Sequence, residues 1–191
     1  MQFLDGLPSW LAREDSSHEI LTALYLRDAL GVSDPSSLPR LLGTGLPPAP
    51  SASDAVTAAW RHEWVTALDE ADRPEAEPVS ADAVAEYRHA ADPFLTDAQT
   101  WAEVVHADYN LGAVRRSQRD DEPFVLGTLV AEHEERLGRR AHPFRLRIEV
   151  LPLTASGIWW IGRSSIAVDE LLIDDDDAYR QALEPVVARL A

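Results

Sequence analysis

The sequence predicts an α+β protein: about five helices packed with a C-terminal three-stranded antiparallel meander and a terminal helix. Through most of residues 16–137 apolar side chains recur every three or four positions, the spacing of a helix face. From Phe144 the spacing changes to every second residue, which is that of a strand. The helical patterns precede the strand patterns instead of alternating with them, and this segregation separates α+β from α/β. At 191 residues, 46% hydrophobic and 26% charged, the chain reads as one domain over 1–191 with an ordinary buried core.

Residues Gln2–Trp10 carry Gly6 and Pro8 and read as an irregular lead-in. Ser16 and Glu19 have the spacing of a capping box, in which each side chain satisfies the other residue's backbone N–H. Behind them Ile20, Leu21, Leu24, Leu26 and Leu30 form a helix that Gly31 can end. The stretch 43–53 is rich in Pro, Gly and Ser and reads as a linker or a long surface crossing. A second helix spans 54–71, with Val56, Trp60, Trp64 and Leu68 on one face. Residues 69–79 are acidic and broken by proline. Ser80 caps a short helix with Val84 and Tyr87 inward. Thr96 and Gln99 open another with Trp101, Val104, Val105 and Tyr109 on its apolar face. Pro123 sits at the first turn of a helix that Gly138 stops.

Phe144, Leu146, Ile148 and Val150 then alternate with Arg145, Arg147, Glu149 and Leu151. Turn residues at 154–157 and 162–165 separate two further strands, 158–161 and 166–173, and give the meander. Asp174–Asp177 leads into the last helix, where aspartates favour the N-terminal end of the dipole.

Composition excludes much chemistry. Cysteine is absent, so disulfides, thiolate metal sites and cysteine nucleophiles are ruled out. All 17 basic residues are arginine, and without lysine there is no phosphate loop of the GxxxxGK type, no kinase lysine and no Schiff base. The net charge of −16 disfavours nucleic acid and anionic membrane. No targeting leader or membrane-length apolar run is present, so the expected location is cytoplasmic.

Six histidines, His18, His62, His89, His106, His133 and His142, show no HExxH, His-x-His or His-x-x-x-His spacing. No metal or cofactor is expected, and no catalytic residue is assigned. His133 falls on an apolar helix face, as a structural histidine does. Residues 114–147 hold Arg115, Arg116, Arg119, Arg136, Arg139, Arg140, Arg145 and Arg147 against six acids, the stretch best suited to an anion. The ordinary alternative is a set of solvated or ion-paired arginines, three of them at a helix C-terminus. The meander offers the one positive binding surface. Trp159 and Trp160 leave opposite faces of their strand, so one of them shares the Arg145 and Arg147 face. The opposing expectation is that a helix covers that face and Glu149 or Asp169 pairs with the arginines.

Phe144–Leu153 followed by Ile158–Gly162 resembles short proteins of high-GC bacteria to which no activity is attached. The likeness covers the C-terminal quarter and carries over no catalytic residue.

These observations favour a non-enzymatic protein–protein interaction or self-associating domain, its partner an unidentified protein or a second copy, with Arg145, Arg147, Trp159 and Trp160 as binding residues. The alternative is a small enzyme, with or without a metal, whose histidine and carboxylate converge from distant positions. A third reading, an acidic nucleic-acid mimic, requires acids arrayed in rows on one side.

Overall fold

The computed structural model describes residues 10–33, 37–68, 78–119 and 125–191. A four-stranded sheet lies between two helical layers, and the class is α+β. In chain order the elements are β1 (Leu11–Asp15), α1 (His18–Leu30), α2 (Asp54–Ala67), α3 (Ala81–Arg119), α4 (Val125–Leu137), β2 (Arg145–Leu151), β3 (Ile158–Trp160), β4 (Ser165–Asp169), α5 (Glu170–Ile173) and α6 (Asp176–Leu190).

The antiparallel meander is not what forms. The sheet order is β1-β2-β4-β3: β2 pairs in parallel with both β1 and β4, and only β3 runs antiparallel, against β4. Loop length explains the difference. The turn between β3 and β4 is tight, closed by Ile161 and Gly162 N–H groups donating to Ser165 O, and forces those two strands into a hairpin. The connection from β2 to β3 is longer and crosses the end of β4. There Asp169 N–H donates to Gly157 O, and Leu153 N–H donates to the Asp169 carboxylate. β4 is thereby placed beside β2, and β3 on the rim.

β1 has no counterpart in the predicted elements. Leu11-Ala-Arg-Glu-Asp15 has little intrinsic strand preference, and pairing with β2 from Leu11↔Arg145 to Asp15↔Glu149 supplies its conformation. The lead-in up to residue 9 lies outside the described residues.

Each sheet face is covered. On one, Leu151, Ala167 and Ile161 pack with α1, α2 and α3 around Ile20, Leu24 and Trp60. On the other, Leu146, Ile148, Val150, Ile166 and Val168 pack with α4, α5 and α6 around Leu126 and Leu183. Every residue of β4 is buried, the pattern of a strand covered on both faces.

The helices follow the apolar spacing with three corrections. The Ser16–Glu19 capping box does not form: the N-cap of α1 is Ser17, whose side chain makes no cap bond, and Ser16 Oγ is buried without a partner among the described residues. The two helices expected around 80–87 and 96–109 are one 39-residue α3 that runs through Pro93. Proline in a helix interior costs about 3 kcal/mol. Here Tyr87, Ala91, Phe94, Ala98, Ala102 and Val105 keep one phase across it, and their burial offsets that cost. Thr96 therefore caps nothing, and its carbonyl accepts from Thr100 Oγ1. Ser80 does cap, accepting from Ala83 N–H at 3.2 Å. Third, residues 170–173 turn into α5 instead of extending the last strand.

Residues 43–53 form a surface crossing. Ahead of it, Leu41 bridges to Leu153 and Leu42 N–H donates to Pro152 O. At its end Ala52 N–H donates to Gly31 O, and Ser53 Oγ caps α2 by accepting from Val56 N–H. Gly31 closes α1 at φ +66°, and a Cβ there would stand 2.1 Å from Pro50 O, so only glycine lets the two backbones meet. Residues 69–77 and Pro123 lie outside the described residues. Gly138 ends α4 in the left-handed region, and Asp175 Oδ1 caps α6 by accepting from Ala178 N–H.

Candidate binding groove

The four residues expected to form a contact face are separated by the fold. Trp159 aligns with Ala167 and Glu149 and packs on the α1–α3 side, so it is the tryptophan that shares the arginine face. That face is covered by helices. Arg147 is largely buried and ion-pairs with Glu149, which is fully buried. The other Glu149 oxygen accepts from both the N–H and the Oγ of Ser17, at 2.9 Å each. The carboxylate thus anchors the start of α1 to the sheet. Trp160 lies on the opposite side with the Arg189 guanidinium over its ring at 4.2 Å. Of the four, only Arg145 is exposed.

The arginine-rich stretch does not converge either. Arg116 donates to Glu14, which also accepts from Tyr109 Oη. Arg136 donates to His133 Nδ1, which leaves the His133 proton on Nε2. Arg139 caps carbonyls at Arg140 and Ala191. The side chain of Arg119 lies outside the described residues.

Of the histidines, His106 is held by Ser16 O at Nδ1 and by Asn110 Nδ2 at Nε2, and His133 is buried. His62, His89 and His142 are exposed. No group of three or more ligand-type side chains among the described residues is placed to hold a metal ion.

One concave feature brings chemistry together. Where α1, α2 and α3 meet, a groove of about 730 Å³ opens between them. Its apolar lining is Ala23 and Leu26 from α1, Ala67 from α2, and Ala91 and the exposed Leu95 from α3. The opening has a packing cause. Three alanines, one from each helix, line the junction, where larger side chains would narrow the gap. Between α1 and α2, Trp60 is fully buried, donates Nε1–H to the groove-lining Ala23 at its carbonyl O, 2.8 Å away, and stacks on Trp64.

The rim is charged. Glu19, Glu63 and Asp92 surround the opening with His18 and Arg88, and the carboxylates outnumber the cation. Tyr87 lies among them, its phenol pushed up to about 12 by burial first and by Glu63 second. Tyr25, Tyr109 and Tyr179 are also raised, burial being the largest cause in each. Buried phenols that resist ionisation bind more protons folded than unfolded above pH ~10, so stability must fall as pH rises through that value. Urea midpoints should hold up to about pH 9 and drop by about pH 11, with Tyr87→Phe dropping less; a flat profile would contradict the burial of these rings.

Sequence reasoning did not single out this groove. His18-Glu19 and His62-Glu63 are neighbours in sequence, and adjacent helical residues point about 100° apart, so neither pair marks a site by itself. It is the folding of three helices together that places His18, Glu19 and Glu63 around one opening. The readable trace is the row of alanines, Ala23, Ala67 and Ala91, interrupting stripes of larger apolar residues. Val104, assigned to an apolar core face, is exposed, as are Leu111 and Val114 on the outer side of α3.

No protein-family model matches the chain, and neither curated proteins nor solved structures give a match.

Proposed function

We propose that this chain is a non-enzymatic protein-interaction module that receives a segment of a partner in the α1–α2–α3 groove. The observation that carries this is the groove itself, an open concavity with an apolar floor and a charged rim, the anatomy of a recognition site. No helix among the described residues is long and apolar enough to cross a membrane.

The test compares two variants in affinity capture from native extract. Leu95→Arg with Glu63→Arg alters exposed groove residues and should abolish recovery of a stoichiometric partner, while Arg145→Glu should leave it intact. Loss with Arg145→Glu alone, or recovery of the chain by itself in every case, would contradict the proposal. One observation favours a second reading: His18 shares its groove with Glu19, Glu63 and Asp92, residue types that an acid–base enzyme uses. Turnover of a simple ester substrate that is lost in His18→Ala would support it.

A further inference from the structure

We infer that the groove's occupant is a basic amphipathic helix of about three turns, supplied by a partner protein. This rests on the groove being the interaction site and adds the chemical class of what enters it. Three features of the groove point the same way. Its long wall runs along α3 from Tyr87 to Gln99, twelve residues apart and therefore about 18 Å in length. A helical segment of about 12 residues has that length, and a helix laid in a groove presents apolar anchors at i, i+4 and i+7 on one side. The alanine floor accepts such anchors because Ala23, Ala67 and Ala91 leave room for a Leu- or Phe-sized side chain.

Charge selects among helices. Glu19, Glu63 and Asp92 border the floor against the single guanidinium of Arg88, so flanking arginines or lysines on the incoming helix meet carboxylates on both sides. The whole chain reinforces the local sign. A net charge of −16 steers cationic segments toward it and repels acidic ones. The same charge opposes docking of a second copy, because like-charged molecules must approach.

The probe is a labelled helical peptide of about 14 residues made of leucine and arginine in amphipathic register, titrated against the full chain by fluorescence anisotropy. Two control peptides replace arginine with glutamate or leucine with serine. The leucine/arginine peptide should bind at least about tenfold more tightly than either control, and weaken as salt is raised. Glu63→Arg combined with Asp92→Arg should reduce its affinity by about tenfold or more, with Arg145→Glu unchanged.

Equal binding of the leucine/glutamate peptide would overturn the basic class while leaving the groove as the site. Binding insensitive to Glu63→Arg and Asp92→Arg would show diffuse attraction to an acidic surface and overturn the inference. A dimer in sedimentation that dissociates on Glu63→Arg would make the occupant a second copy, and would overturn it as well. The groove reading itself fails separately, by the captured partner's indifference to Leu95→Arg with Glu63→Arg.

Discussion

Replacing Glu149 with alanine is expected to cost about 3–5 kcal/mol of stability, because the change breaks a buried ion pair and leaves its partners uncompensated. Arg147, its guanidinium packed beneath the helices, would lose its counter-ion, and the Ser17 N–H and Oγ would lose their acceptor. Since small proteins are stable by only about 5–15 kcal/mol, the variant should be partly unfolded or have a much lower urea midpoint. Removing both charges tests the cause. Arg147→Met with Glu149→Leu should recover the part due to the unpaired guanidinium and leave about 1–3 kcal/mol lost for the buried Ser17 donors, which still lack an acceptor. A loss below about 1 kcal/mol for Glu149→Ala would mean the carboxylate is solvated and α1 is not anchored through it.

Trp60→Ala should be comparably damaging, about 3–5 kcal/mol, because it deletes the largest fully buried side chain at the α1–α2 contact. The loss has two parts that Trp60→Phe separates. Phenylalanine keeps most of the buried area and stacking on Trp64 but removes the donor to Ala23 O, so about 1–2 kcal/mol should go with the hydrogen bond and the shape change. Because Trp60 donates to Ala23, which lines the groove, a folded Trp60→Phe protein should bind groove ligands more weakly. Urea unfolding and peptide titration on one preparation check both effects. Unchanged stability in Trp60→Ala would contradict the packing described.

Much of the fold was legible because local rules and packing agree. The Trp60–Trp64 stripe, the glycines that end α1 and α4, and the aspartate cap of α6 all act through neighbours in sequence. The strand pairing was misread because alternation over Phe144–Val150 shows one apolar face but not what covers the other. The warning lay in Ile166-Ala-Val168, apolar on both faces, which suits a strand between two layers better than a solvent-facing meander. β1 was invisible for a different reason: nothing in Leu11–Asp15 prefers a strand, and its conformation depends on an edge more than 130 residues away. The Ser16–Glu19 pair matches a local motif, yet the Ser16 N–H donates to Asp15 Oδ1 and the helix starts one residue later at Ser17, whose N–H and Oγ are claimed by Glu149 from β2, a tertiary partner that local spacing cannot reveal. The groove escaped notice likewise. Its rim residues come from three helices, and its floor is made by side chains too small to draw attention.

The most direct measurement is amide hydrogen exchange across the chain with and without the leucine/arginine peptide. Binding in the groove predicts slowed exchange in residues 18–26, 63–67 and 87–99 and little change elsewhere. Protection confined to residues 145–160, or to the outer side of α3 around Val104, Leu111 and Val114, would place recognition on another surface and contradict the account.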